Sequence, residues 1–581
     1  MHEKFTHFGE LYRHLELGAA KADFLHHKTD AGWKSYSKET FLQSIRYLTL
    51  SFYEEGWKGK HVAIAVSPSA HWLMLDYALM LCGAVSVPLF TNISSKNLHF
   101  EFLNANMHTA FIEEETQKRL IDEVEGNIEV IYRDAVNGHR SITELIDKGR
   151  QIDKQHPTRF RELLSGIHAE DVATIVYTSG TSGIPKGVEL THANLISQIH
   201  AAAQNYHFDK DVDIAFSFLP LAHIFERMVM HLYLSRELTV YFADDVKNVG
   251  VLLKEVNPTV MTVVPRLLEK VFFKMKLKAL EGNIIKKALV NYAFHRAVTK
   301  DPYAPKGIVD KVLDAIVYKK LRLALGTRMR MMISGGAALP DALYKFYLNI
   351  GTPIYQGYGQ TETSPVIASN TPKDNKIGTV GKPFPHVEVM LSPEHELLVK
   401  GPNVMRGYHN NTRATEKVID KSGWLHTGDL ASIDDDKFIS IIGRTKELLK
   451  TSTGEYVTAV YIEQKLTSNG WFEQALVVGD AKPYVTALLF IEHEFLGRLA
   501  TSMNTTPLKA LESDKFKAMT AKFIAKLNKK LNHWEKVREY RVIADELSIE
   551  NGDLTPSMKL AKNHMMEVYA EEIEEMYAGH V

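Results

Sequence analysis

The sequence predicts an α/β protein: a large layered body, an antiparallel β-rich segment and a smaller mixed tail. Three observations predict it. Short apolar runs alternate with helical patterns through the first two thirds of the chain. The texture breaks into short runs split by Gly, Pro and Asn between about Gly378 and Ile442. A second mixed segment follows Gly443-Arg444-Thr445-Lys446. Alternation of the first kind places helices on the faces of a largely parallel sheet. Its strand candidates are 62–66, 174–177, 239–242, 259–264 and 329–334, and 69–81 reads as a helix. Within 378–442, the runs 387–391 and 396–400 read as antiparallel strands. The tail carries an amphipathic helix with Phe516, Met519, Phe523, Leu527 and Leu531 on one face. A boundary near Lys446 divides the chain into 1–445 and 446–581.

Composition narrows the class. At 581 residues the chain exceeds what one hydrophobic core organises. Hydrophobic residues at 45% and charged residues at 24% are ordinary for a globular protein. A formal net charge of -1 supplies no global field for nucleic acid. The sole cysteine, Cys82, excludes an internal disulfide and a thiolate-rich metal cluster and fits a reducing compartment. The N-terminus, Met1-His2-Glu3-Lys4, lacks an apolar signal region, which reads as cytoplasmic. The most apolar stretch, from Trp72 to Phe90, is interrupted by Asp76, Gly83 and Pro88 and is short for a membrane span. It reads as a buried helix followed by a strand. Between Arg266 and Arg330 basic residues outnumber acidic ones by about three to one. That excess reads as a solvated helical face, or as a contact with anionic lipid or with phosphates.

The strongest chemical signal is Tyr177-Thr178-Ser179-Gly180-Thr181-Ser182-Gly183-Ile184-Pro185-Lys186-Gly187. Three glycines let backbone approach a ligand and present successive N–H groups, while four hydroxyls and Lys186 add donors. Such a loop suits a polyphosphate. It is not a Walker A sequence, since Pro185 stands at that pattern's second glycine. Further on come Ser334-Gly335-Gly336-Ala337-Ala338-Leu339, Gln356-Gly357-Tyr358-Gly359-Gln360-Thr361-Glu362, Trp424-Leu425-His426-Thr427-Gly428-Asp429-Leu430 and Gly552-Asp553-Leu554-Thr555-Pro556-Ser557-Met558-Lys559-Leu560. Glu362 stands where a dinucleotide fingerprint needs its third glycine, which excludes that reading. Neither an HExxH zinc site nor a GxSxG elbow is present.

This series, in this order over nearly the whole chain, resembles the adenylate-forming superfamily of acyl-CoA synthetases, peptide-synthetase adenylation domains and beetle luciferases. The resemblance implies a large N-terminal domain of two α/β layered subdomains plus a distorted β-barrel, and a small mobile C-terminal α+β domain. It implies ATP, Mg²⁺ and coenzyme A as partners. Thr178 to Lys186 would bind phosphates, with Gly336 and Ala337 beside adenine. Gln356, Gly357, Tyr358 and Gly359 would complete the nucleotide site, Tyr358 stacking on the base. Thr361 would meet the α-phosphate, and Glu362 with Thr178 would hold Mg²⁺, a hard cation that takes carboxylate and phosphate oxygens. Asp429 would take the ribose hydroxyls and Arg444 the ribose or phosphate. Lys446 falls at the hinge, Lys559 at the catalytic lysine, and Gly454 and Glu455 on the face that completes a coenzyme A tunnel.

Leu219-Pro220-Leu221-Ala222-His223-Ile224-Phe225-Glu226-Arg227 and Val264-Pro265-Arg266-Leu267-Leu268-Glu269-Lys270 closely resemble segments of long-chain acyl-CoA synthetases, where His223 borders the acyl pocket. His223 also reads as a satisfied core histidine. Two departures from the family pattern are His395-Glu396-Leu397 in place of Gly-Glu-Ile, and Ser182 in place of threonine. The implied reaction joins a long-chain fatty acid to coenzyme A through an acyl-adenylate. The alternatives are a ligase that loads a carrier-protein thiol and a non-catalytic lipid- or nucleotide-binding relative. Peripheral contact at the inner membrane face and the oligomeric state stay open at this level.

Overall fold

The computed structural model describes residues 5–179, 185–281, 283–555 and 558–578, without the side chains of Ser179 and Lys446. Two large sheets dominate the described residues. Strands form at His61–Ala65, Val172–Ser179, Thr239–Phe242, Val260–Val263 and Met331–Ser334, close to the sequence candidates. One sheet has seven strands, running from Gly407–Tyr408 through Pro185–Thr191, Val172–Ser179, Val85–Pro88 and His61–Ala65 to Glu129–Tyr132. The other has nine, from Lys382–Pro383 at one edge to Gly32–Tyr36 at the other. Both are parallel through the middle and antiparallel at the rim that approaches the site.

The helix Ala70–Cys82 shows how sequence fixes an element. Ser69 caps it, its Oγ accepting from the N–H of Trp72, and Gly83 ends it at φ 80°. Gly is favoured there because side chains resist the left-handed region. All thirteen residues are buried, so the apolar stretch is core. No helix among the described residues is long and apolar enough to cross a membrane.

The Ile224–Ser235 helix lies between the two sheets, and its neighbouring residues Glu226 and Arg227 reach different ones. Arg227 is fully buried and meets Asp76 of the Ala70–Cys82 helix through Nε at 2.9 Å and Nη2 at 2.5 Å. It also donates to Thr174 and Ser86, both on the seven-stranded sheet. Glu226 instead accepts from Ser217 at 2.6 Å and from Thr262, both on the nine-stranded sheet. Burial pushes the Glu226 carboxyl up to about 7, against the two hydroxyl donors. Its folded value lies above its ordinary one, so its contribution to stability is complete below about pH 4.5 and is lost as pH rises through 7. The difference is on the order of 3 kcal/mol. Glu226→Gln is therefore expected to melt a few degrees above the parent at pH 8, with no gain at pH 5. Thermal scans at the two pH values check this.

A four-stranded antiparallel sheet, Glu388–Leu391, Glu396–Lys400, Leu425–Ile433 and Ile439–Arg444, forms the predicted β-rich segment. It corrects one expectation: the sheet is open, and no closed barrel forms among the described residues. Its Ile439 edge is taken by backbone bonds with Val380 and Gly381, which tie it to the nine-stranded sheet rather than to its own far edge. Pro383, Pro385 and Pro402 in the flanking segments cannot donate to a ladder. His395 sits at φ 64°, the left-handed region, which accounts for glycine at that place in the family pattern.

Residues from Val457 to Val537 form a separate core around the strands Phe472–Val478, Val485–Ile491 and Val537–Ile543. The predicted tail helix spans Asp514–Asn528. Its buried face is Phe516, Thr520, Ile524 and Leu527, whereas Met519 is only half-buried and Leu531 packs beyond the helix end. Positions 516, 520, 524 and 527 keep the 3.6-residue period, from which Met519 is rotated away.

Candidate active site

The polyphosphate-type loop joins two antiparallel strands, Val172–Ser179 and Pro185–Thr191, which place Thr178 opposite Lys186. Gly180, Thr181, Ser182 and Gly183, with the Ser179 side chain, lie outside the described residues. Lys186 Nζ sits 4.8 Å over the ring of Tyr408, in the strand paired to the same hairpin. The Tyr408 hydroxyl donates to Glu362 Oε1 at 2.7 Å. Burial, with the Glu362 charge beside it, holds that phenol well above its ordinary value, so it stays a donor. Met405 N–H fixes the Glu362 carbonyl at 2.9 Å. Tyr408 thus links the lysine of one motif to the carboxylate of another. Tyr408→Phe keeps the ring and removes the donor. It is expected to weaken Mg-nucleotide binding by on the order of tenfold or more, the value of one charge-assisted hydrogen bond. Titration calorimetry with a non-hydrolysable Mg-nucleotide measures it.

The strand Ile354–Gly359 carries Gln356, Gly357 and Tyr358 to the same place. A side chain at Gly359 would meet the Pro365 carbonyl oxygen at 1.8 Å, so only glycine lets this strand pair with Val366–Ser369. The Gln356 side-chain oxygen accepts from Leu339 N–H at 3.2 Å and ties down the loop bearing Gly336 and Ala337. Thr361 and Glu362 follow in a tight turn, Thr361–Thr363.

Asp429 and Arg444 face each other across two strands of the four-stranded sheet. Arg444 Nε donates to Asp429 Oδ1 at 3.0 Å, and the Tyr358 hydroxyl donates to Oδ2 at 2.5 Å. Asp429 is buried; lost hydration raises its pKa, against the Arg444 charge. Glu396, of the variant triplet, accepts from Gly428 N–H at 2.8 Å and shapes the turn before Asp429.

Lys559 arrives from the tail. Its loop is closed by Thr555 N–H donating to the Lys559 carbonyl at 2.8 Å, and Lys559 N–H returns to the Thr555 hydroxyl. The side chain reaches cleft water, yet its ammonium is held below the ordinary lysine value. Displaced water is the main cause; Arg444 adds to it, and Glu447 and Asp429 oppose it. Lys559 is also felt by His223, which burial and that charge push down to about 4. His223 caps the Ile224–Ser235 helix, its Nδ1 accepting from Phe225 N–H at 3.2 Å. The neutral ring then carries its proton on Nε2, available as a donor. It is a half-buried residue of the cleft wall rather than a core histidine.

Thr178, Lys186, His223, Gly336, Ala337, Tyr358, Thr361, Glu362, Asp429, Arg444 and Lys559 line one cleft of about 3750 Å³. Single-ligand pockets hold roughly 300–1,000 Å³, so this cleft has room for more than one substrate. Ala202, Tyr206, Met228, Val229, Leu232 and Phe384 give it an apolar wall. Gly454 and Glu455 are not among its lining residues. They occupy the exposed turn of the hairpin Leu448–Lys450 and Tyr456–Thr458. No cluster of three metal-ligating side chains occurs among the described residues. The Glu362 carboxylate and Thr178 hydroxyl are hard oxygen donors, fit to hold Mg²⁺ only where nucleotide oxygens complete its shell.

The sequence motifs did not point to Tyr408 or to Glu447, whose charge acts on Lys559, and the segment that holds Arg266 did not announce its contact with the tail. Arg266 donates to the Glu473 carbonyl at 2.9 Å and its carboxylate at 3.3 Å, joining the wall helix Pro265–Ala279 to the tail.

Comparison with known proteins identifies the family. Residues 32–409 match the AMP-binding enzyme family model, and residues 446–581 match the AMP-binding enzyme C-terminal domain. The chain belongs to the AMP-binding enzyme family. Among its AMP-binding relatives, the long-chain-fatty-acid–CoA ligase FadD15 of Mycobacterium tuberculosis is 32% identical, covering 94% of this chain and 93% of its own. The peroxisomal long chain acyl-CoA synthetase 6 of Arabidopsis thaliana is 30% identical over 89% of this chain and 78% of its own. Among solved structures, O-succinylbenzoate coenzyme A synthetase of Bacillus subtilis with AMP superposes at a TM-score of 0.68, with 20% identity, over 96% of this chain and 97% of its own. The adenylation domain of a Mycobacterium chelonae carboxylate reductase reaches 0.73, with 19% identity, over 98% and 91%. This AMP-binding enzyme therefore has the adenylate-forming fold.

Proposed function

We propose that the protein is a long-chain fatty acid–CoA ligase: ATP, fatty acid and CoA give acyl-CoA, AMP and diphosphate through an acyl-adenylate. One observation carries the reading: Glu362, Asp429, Arg444 and Lys559 converge on one cleft that also has an apolar wall. The fatty carboxylate attacks the α-phosphorus of ATP, forming the acyl–phosphate bond as diphosphate leaves with the electron pair. The barrier is the approach of an anion to a polyanion. Lys186, Arg444 and Lys559 offset it with positive charge aimed where negative charge develops. The Asp429 carboxylate takes the ribose hydroxyls, and Tyr358 flanks the base. His223 Nε2–H would donate to the acyl oxygen. Mg²⁺ bound with ATP on Glu362 and Thr178 would neutralise phosphate charge.

In the second step the CoA thiol adds to the acyl carbon and AMP departs. Residues 446–581 act as the moving unit on a hinge at Lys446 after a body of 1–445. Rotation withdraws Lys559 and brings Gly454 and Glu455 to the cleft, where they are absent in the arrangement described here. Lys446→Pro stiffens that hinge by fixing φ. It is expected to slow acyl transfer to CoA at least tenfold while sparing pyrophosphate exchange. Equal loss of both would remove Lys446 from the hinge. The relatives' names favour CoA over a carrier protein as acceptor. The reaction runs on the cytoplasmic side, where ATP and CoA are at hand.

The test is ATP–pyrophosphate exchange with acetate, octanoate, palmitate and benzoate, followed by CoA. Palmitate supports fast exchange, and CoA then yields palmitoyl-CoA. Exchange with none of these acids, or thioester formation only on a carrier protein, refutes the proposal.

A further inference from the structure

The wall helix Pro265–Ala279 meets the tail where it borders the cleft. Gly470 of the tail approaches it so closely that an added Cβ would stand 2.8 Å from the Phe273 ring. Just beyond, the tail strand Phe472–Val478 shifts register against Val485–Ile491 between Phe472 and Gln474. A bulge leaves its extra residue out of the ladder and re-aims it. That residue is Glu473, and Arg266 holds it twice: Nη1 donates to the main-chain carbonyl at 2.9 Å and Nη2 to the carboxylate at 3.3 Å. Lost hydration raises the Glu473 carboxyl, against the Arg266 charge. Gln474 carries the link onward. Its Nε2 donates to the Met558 carbonyl at 3.2 Å, and Met558 immediately precedes Lys559. Met558 stands at φ 62°, a left-handed conformation that a non-glycine residue keeps only where its surroundings hold it.

We propose that Arg266 is a positioning residue for Lys559, acting through Glu473 and Gln474. Lys559 sits on a loop of the moving unit, so its place in the cleft depends on how that unit docks. Two hydrogen bonds from the wall helix fix the strand, and one from the strand fixes the residue before the lysine. A displacement of about 1 Å can slow a reaction ~10²-fold. A part-exposed ion pair, by contrast, adds little to stability. The bridge therefore serves the site rather than the fold. The inference rests on the ligase reading for what Lys559 does, and its first measurement is independent of catalysis.

Hydrogen exchange followed by mass spectrometry reads the positioning directly. Arg266→Ala should speed exchange of the 553–561 loop amides several-fold and leave the tail strand Val485–Ile491 unchanged. Its thermal midpoint should match the parent. Pyrophosphate exchange with palmitate should slow on the order of tenfold. Arg266→Lys keeps the charge but loses the fork, so its rate should fall between the two. Adding Gln474→Ala to Arg266→Ala should slow exchange by no more than about another twofold, because the two side chains lie on one path. In Lys559→Ala, adding Arg266→Ala should change the residual rate by no more than about twofold. A purely structural role would slow both backgrounds equally. Unchanged loop protection in Arg266→Ala, or equal slowing with and without Lys559, overturns the proposal. A parent that exchanges pyrophosphate with no acid would refute the ligase reading instead, and loop protection would still decide the positioning.

Discussion

Lys559→Ala is expected to slow fatty acid-dependent pyrophosphate exchange by on the order of 10²–10³, the usual effect of removing one preorganised charge from a transition state. Thioester formation from supplied acyl-AMP and CoA should stay within a few-fold of the parent. The split follows from position. Lys559 shares the cleft with Asp429 and Arg444, and its charge reaches His223; in the proposed reaction this is where acid and phosphate would meet. Once diphosphate has left, the repulsion it offsets is gone. Its ammonium is held below the ordinary lysine value by displaced water and by Arg444. Exchange in the parent should therefore fall with rising pH on a limb below the ordinary lysine value, and Lys559→Ala should lack that limb. Rapid-quench assays of the two half-reactions decide it; equal loss in both would contradict the assignment.

The largest stability effect is expected at Asp76. Burial alone would raise its carboxyl, but the Arg227 charge prevails and holds it below the usual carboxylate range. Asp76→Ala leaves a fully buried guanidinium with no charged partner, only the hydroxyls of Thr174 and Ser86, the Met80 sulfur and the Trp72 ring. Removing one partner of such a pair costs about 3–5 kcal/mol. The thermal midpoint should drop by about 3–5 °C, with loss of soluble yield. The double variant Asp76→Leu with Arg227→Met removes both charges and should recover most of the loss, because an apolar pair of similar volume needs no desolvation. Calorimetry on the single and double variants measures this; an unchanged midpoint for Asp76→Ala would mean that water reaches Arg227.

The alternation of apolar runs was enough to locate several of the parallel strands, since a buried strand needs a short uninterrupted apolar run and little else; Thr109–Ile112 and Ile214–Ser217, among others, were not read from it. The helical pattern at 69–81 was legible too, while the capping roles of Ser69 and Gly83 came from the structure. The motif residues Tyr358, Glu362, Asp429, Arg444 and Lys559 were also legible, each in its own short segment. What joins them was not. Tyr408 bonds a residue 46 positions away and lies under a lysine more than 200 positions upstream, a pairing made by the sheet edge. The Arg266–Glu473 contact likewise depends on how tail and body meet. The distorted barrel came from the family resemblance, whereas the strand pattern alone gave an antiparallel sheet and did not say whether its edges meet; here Ile439 pairs with Gly381 instead. Arg227, adjacent to Glu226 in a segment read for its acyl pocket, is a core charge.

The most direct test of the chemistry follows one oxygen atom. With palmitate labelled by oxygen-18 in its carboxylate, together with ATP and CoA, the carboxylate oxygen that attacks the α-phosphorus stays on phosphorus when the thiol displaces AMP. One labelled oxygen should appear in AMP for each palmitoyl-CoA formed. Label in diphosphate or in a released phosphate, with none in AMP, would contradict an acyl-adenylate built in this cleft.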